Sequence, residues 1–172
     1  MNFIFRIIDC FIVLLLTIVA IVSIPFIYSK LSNRPVYTDP NFKTYLDLFE
    51  KDAKKHNVNL DLYKTITIFG IVSEESVAAY CVPNTKTIVV SKKTWNELDE
   101  SSRKALLYHE WGHCILRRDH AEQINYFSMC PESLMYPYID PMKTCYKKYE
   151  DWYNEELFLN PLNFDKFSRR KK

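Results

Sequence analysis

Three of the four histidines in this 172-residue chain fall within twelve residues, His109-Glu110-Trp111-Gly112-His113-Cys114-Ile115-Leu116-Arg117-Arg118-Asp119-His120. On a helix, His109 and His113 lie four positions apart and project from one face, where both imidazoles reach a single metal ion. Glu110 is turned about 100° further round the axis, outside the coordination plane but within reach of a water beside that metal. The pattern H-E-x-x-H arises in roughly one shuffled chain of this composition in two hundred, so its weight depends on the residues downstream of it.

A third candidate ligand stands just beyond the helix, and Ser133-Leu134-Met135-Tyr136-Pro137 reads as a tight turn enclosing a methionine. This pairing resembles the metzincin metallopeptidases, whose long H-E-x-x-H motif is followed by a Met-turn beneath the metal. Gly112 fits the H-E-x-G-H form, and the Leu-Met-Tyr-Pro wording is closest to matrix metalloproteinases. The resemblance spans about residues 86–138. It implies a zincin-like α+β fold, a small mixed sheet with an active-site helix and a C-terminal helix. It also implies that Met135 forms the floor of the site and that Tyr136, Pro137 and Tyr138 contribute to a substrate pocket.

The family pattern H-E-x-x-H-x-x-G-x-x-H is broken at one place. Leu116 replaces the glycine, and Asp119 stands in register with the third histidine. Snapalysins are similar in using aspartate there, followed by histidine, as in Asp119-His120. Without glycine at 116 the helix is expected to run one residue further, through Arg117, and to present His120. The expected metal set is therefore His109, His113 and His120, with Asp119 the alternative third ligand, or the residue that orients an imidazole if His120 binds.

A catalytic zinc takes three protein ligands and keeps one position for water, whose pKa falls to about 7. Glu110 is then the general base, taking a proton from the water and passing it to the leaving amine. The expected activity is a zinc-dependent metalloendopeptidase with Zn2+ as cofactor and a peptide or protein as substrate. Two rival readings are a non-catalytic membrane-anchored binding or structural protein that retains a metal site, and a zinc amidase acting on cell-wall peptide. An intact Glu110 speaks against the first, because a purely structural site needs no base. An oxyanion donor is assigned to neither Tyr136 nor Tyr138, since the metzincin position for that tyrosine is Pro137 here.

Cys10 to Tyr28 is uncharged over nineteen residues, enough to cross a hydrocarbon core of about 30 Å. A cleaved signal peptide is the rival, but Ser23 to Ser29 offers no small-x-small cleavage site. The reading taken is a single-pass anchor over residues 1–30, a proline-broken linker over 31–40, a metallopeptidase domain over 41–164 and a basic tail over 165–172. Arg6 and Asp9 nearly cancel against Lys30 and Arg34 in setting orientation. Cys81, Cys114, Cys130 and Cys145 are an even number, compatible with two disulfides in any of three connectivities, or with free core thiols. Disulfides favour a domain on the extracytoplasmic side. A net charge of +2 without a basic stripe excludes nucleic acid as the expected partner, and no feature sets an oligomeric state.

Phe42, Tyr45, Leu46, Phe49 and Ala53 recur at helical spacing, predicting a packing helix from Asn41 to about His56, with His56 an exposed residue rather than a ligand. Thr65–Val72, Val77–Val82 and Lys86–Ser91 read as strands. The last is expected to be a sheet edge, either the one that lines the cleft and pairs with substrate backbone or a plain edge kept soluble by Lys86, Lys92 and Lys93. The metal helix should start near Asp99 or Ser101. A glycine inside a helix costs about 0.5–1 kcal/mol relative to alanine, so Gly112 implies close approach of another backbone, the Met-turn being the natural candidate. Residues 121–129 read as loop with a helical turn. Met142, Tyr146, Tyr149, Trp152 or Tyr153, and Leu157 at helical intervals predict a closing helix.

Overall fold

A computed structural model describes residues 37–60, 62, 65–74 and 77–159. The apolar segment 10–28 and the basic tail 165–172 lie outside them, and no helix among the described residues is long and apolar enough to cross a membrane. The described residues form an α+β arrangement of four helices and six short strands.

The first helix, α1 (Pro40–Lys55), starts where the sequence supplies both a cap and a preset first turn. The Asp39 carboxylate accepts the Asn41 amide hydrogen at 2.9 Å and Pro40 occupies the first helical turn. Phe42, Leu46, Phe49 and Ala53 are all buried on one face, as their spacing predicts. They meet an aromatic cluster: Phe42 packs edge-on to Trp95 at 4.9 Å, and Phe49 lies 5.0 Å from Tyr108 and 5.2 Å from Trp111. Asp52 on the same helix is buried but satisfied, accepting from the Tyr108 hydroxyl at 3.0 Å and from Lys55 at 2.6 Å. His56 caps the helix and stacks on Phe158 at 5.7 Å, away from the histidine cluster.

Four strands, β1 (Tyr37–Thr38), β2 (Ile66–Gly70), β3 (Ala79–Val82) and β4 (Thr87–Ser91), make a mixed sheet in the order β1-β2-β4-β3. β1, β2 and β4 are parallel, while β3 runs antiparallel to β4 with Cys81 opposite Ile88. The expectation that residues 86–91 form an edge is therefore corrected: among the described residues β4 is interior, and the edges are β1 and β3. The physical reason lies in the strand itself. Ile88, Val89 and Val90 are buried in succession, the continuous apolar run of a strand covered on both faces. The lysines that suggested an edge, Lys86, Lys92 and Lys93, fall just outside it.

After the short α2 (Lys92–Glu97), the metal helix α3 (Glu100–Cys114) begins with Asp99 as its cap, accepting the Ser102 amide hydrogen at 2.8 Å. Trp111 donates its indole N–H to Thr67 Oγ1 of β2 at 3.2 Å, fixing the helix against the sheet. Residues 121–129 hold loop at 121–123 and, at 126–129, a single helical turn closed by the Met129 amide donating to the Asn125 carbonyl at 2.8 Å. They build a hairpin, β5 (Ile124–Asn125) and β6 (Cys130–Pro131), whose tip is organised by Asn125 accepting from the Phe127 and Ser128 amides at 3.1 Å each. The closing helix α4 (Ile139–Phe158) matches its predicted periodicity, with an internal kink at Tyr149, and packs on α3. Two disulfides, Cys81–Cys114 and Cys130–Cys145, resolve the three possible connectivities. The first ties β3 to the end of α3, and the second ties the hairpin to α4.

Candidate metal centre

α3 carries His109, Glu110 and His113, and the segment after it returns His120 to the same place. The ring of His120 lies 5.3 Å from that of His109 and 4.6 Å from that of His113, and one nitrogen from each of the three imidazoles falls within 4.8 Å of the others. Asp119, the alternative third ligand, is exposed and stands outside this group.

The helix does not continue through Arg117, contrary to the expectation from the missing glycine. It ends at Cys114, and Arg117 adopts a left-handed φ of 57° that returns the Arg118 amide to the Gly112 carbonyl at 3.0 Å. A residue with a side chain thus takes the conformation usually left to glycine, at a cost of about 1–2 kcal/mol. The turn still falls one position later than the pattern glycine, and His120 is still the histidine delivered.

The tautomers follow from the partners. His109 Nδ1 lies 2.9 Å from the Leu134 carbonyl and His113 Nδ1 lies 2.6 Å from the Arg118 carbonyl. A carbonyl only accepts, so both Nδ1 atoms carry hydrogens and both Nε2 atoms keep lone pairs. These two Nε2 atoms face each other at 3.0 Å. Two acceptors so placed repel unless a cation lies between them, and nitrogens bound tetrahedrally to one zinc stand about 3.3 Å apart. The residues present therefore fit a zinc ion. Burial pushes the His109 imidazole down to about 4 and lowers His113, holding both in the neutral form that a ligand requires. The orienting partners of His109 and His113 are backbone carbonyls, so Asp119 orients neither of these two.

Glu110 is 5% exposed, and burial pushes its carboxyl up to about 8. Beside it opens a cleft of about 1160 Å³ whose lining includes Val77 to Cys81 and Tyr136, Pro137 and Tyr138. The cleft edge is thus β3 and the residues before it. Met135 is fully buried beneath the helix, and a Cβ built on Gly112 would stand 2.5 Å from its sulfur and 3.2 Å from Leu157 Cδ1. The close approach expected at Gly112 is real, but it is made by side chains rather than by another backbone.

Sequence reasoning missed Glu156 and Arg118. Glu156 is fully buried on α4 and accepts from Ser133 Oγ at 3.0 Å, the Leu134 amide at 3.1 Å and Arg118 Nη2 at 2.5 Å. On the amphipathic α4 it reads as one more solvated charge, and no local signal separates it from Glu155.

No curated protein and no solved structure gives a significant match to the chain. Compared with models of known families, residues 43–140 match Peptidase family M48. That span runs from α1 through the whole histidine cluster to the first turn of α4 and covers more than half of the chain. The chain therefore belongs to Peptidase family M48 and is a zinc metallopeptidase.

Proposed function

We propose that this peptidase is a membrane-anchored endopeptidase in which His109, His113 and His120 hold the zinc and Glu110 is the catalytic base. The observation that carries the reading is the opposed pair of Nε2 lone pairs at 3.0 Å, with His120 beside them and Glu110 on the adjoining helix position. Zinc, when bound, supplies a Lewis acid and brings the pKa of water to about 7. Glu110 accepts a proton from the attacking water and returns it to the leaving amine. Its burial keeps bulk water from competing for that proton, and a neighbouring dication offsets the rise that burial causes in its pKa. The free edge of β3 offers backbone groups to an extended peptide, and Tyr136, Pro137 and Tyr138 line the same cleft, where an apolar side chain fits. The resemblance to metzincins rests on Met135 and His120 alone, whereas the family match is to Peptidase family M48.

Membrane anchoring is supported by the uncharged segment 10–28. An extracytoplasmic domain is supported by two disulfides, which persist in oxidising compartments. The test is zinc analysis of the purified full chain in detergent, followed by cleavage of a peptide library with and without chelator. Internal cleavage that is lost with the metal and restored by zinc supports the reading. Release of terminal residues alone, or no cleavage by zinc-loaded protein, overturns it.

A further inference from the structure

The two carbonyls that orient the metal histidines belong to Leu134, in the Met-turn, and Arg118, in the turn after α3. These turns do not share a secondary-structure element. What they share is Glu156. One of its oxygens accepts the Leu134 amide, and the other accepts Ser133 Oγ and Arg118 Nη2. Arg118 is held from a second side as well, with Nη1 donating to the carbonyls of Glu156 at 2.9 Å and Leu157 at 3.0 Å. Ser133 Oγ in turn accepts the Met135 amide at 3.0 Å. One carboxylate therefore grips both the residue behind His109, Leu134, and the residue behind His113, Arg118.

We propose that Glu156 is the positioning residue of the metal centre, setting the orientation of His109 and His113 through Leu134 and Arg118 without touching the zinc. The proposal rests on His109, His113 and His120 being the ligands. Its physical basis is that imidazoles bind well only when their Nδ1 partners hold the ring plane and keep the lone pair on Nε2. Here those partners are backbone carbonyls on two turns, one of them requiring a left-handed arginine, and such turns keep their place only if something fixes them. A fully buried carboxylate fixes them with directional bonds, because breaking any one leaves an unpaired polar group in the core. The last turn of α4 thereby becomes part of the metal site, although residue 156 lies outside the span that matches the family.

The test uses the full chain with both disulfides intact. Zinc affinity is measured by competition with a chromophoric chelator, geometry by the visible spectrum of the cobalt-substituted protein, and folding by thermal melting without metal. The variants are Glu156→Gln and the double variant Arg118→Met/Glu156→Met. Buried ion pairs are often replaced by apolar residues at little cost in stability, so the double variant separates fold from positioning. The expected result is metal-free melting of the double variant close to the parent, with zinc binding about 10–100-fold weaker and an altered cobalt spectrum. Glu156→Gln should show the same spectral change.

Parent-like zinc affinity and spectrum in a folded variant overturn the proposal. So does failure of both variants to fold, since Glu156 would then be a folding element only. His109→Ala serves as the control for the underlying reading. If it keeps zinc, the ligand assignment is wrong; if it loses zinc while the Glu156 variants bind normally, only the positioning role is wrong.

Discussion

Replacing Gly112 by alanine tests whether α3 is pressed against the Met135 side chain as tightly as the packing implies. On helix propensity alone the change should stabilise, by about 0.5–1 kcal/mol. The new methyl, however, would stand 2.5 Å from Met135 Sδ and 3.2 Å from both Met135 Cε and Leu157 Cδ1. Met135 is 0% exposed and Leu157 1% exposed, so neither side chain can swing into solvent to make room. Overpacking of this kind costs about 1–3 kcal/mol, which outweighs the helix gain and leaves a net loss of about 1–2 kcal/mol. The assay is urea unfolding of the metal-free protein with both disulfides intact, read by circular dichroism. The same substitution is then made in a Met135→Ala background, which itself costs about 2–5 kcal/mol. With the sulfur gone, Gly112→Ala should change sign and stabilise, the non-additivity expected of residues in contact. If Gly112→Ala stabilises the parent and the Met135→Ala protein equally, Met135 is not what excludes a side chain at 112, and the packing argument fails.

Glu110→Gln should keep zinc and lower peptidase turnover by about 10²–10⁴-fold, the usual contribution of a general base; undiminished turnover would remove Glu110 from the chemistry. Zinc stoichiometry should fall in His120→Ala and hold in Asp119→Ala, and the reverse pattern would assign the third ligand to the aspartate. Alkylation under denaturing, non-reducing conditions should modify a single thiol, Cys10, of the five in the chain. Opening the Cys130–Cys145 bridge by paired serine substitution should destabilise by about 3 kcal/mol for a separation of 15 residues, and opening Cys81–Cys114 by about 4 kcal/mol for a separation of 33. Metal-free protein should lose up to about 2 kcal/mol between pH 6.5 and 8 on account of Glu110. In that window the unfolded carboxyl is already ionised while the buried one still holds its proton, so unfolding releases a proton and rising pH favours it. Chemical denaturation across the window checks this, and a slope of opposite sign would contradict the buried, protonated state.

The grouping of His109, Glu110 and His113 was legible because its geometry is local. An i, i+4 spacing on a helix brings His109 and His113 together whatever surrounds it, and Asp39 and Asp99 announce the starts of α1 and α3 through short-range cap bonds. The apolar periodicities of α1 and α4 are local in the same sense. Gly112 was informative for a different reason: its cost in a helix implied a close neighbour, although which atoms approach it was beyond reach.

What only the tertiary structure decided depends on contacts between distant parts of the chain. Strand order belongs to this class: residues 79–82 and 87–91 both read as strands, but which is the edge is settled by what covers each face, and the flanking lysines pointed the wrong way. The pairing of four cysteines is a choice among three that no spacing resolves. His120 stands in the cluster because Arg117 turns left-handed, a conformation its side chain would not suggest. Glu156 is the clearest case. In sequence it is one of two adjacent glutamates on an amphipathic helix, and its role appears only when α4 brings it under the Met-turn and beside Arg118. A buried charge carries no mark in the sequence, because its burial is a property of the partners that satisfy it.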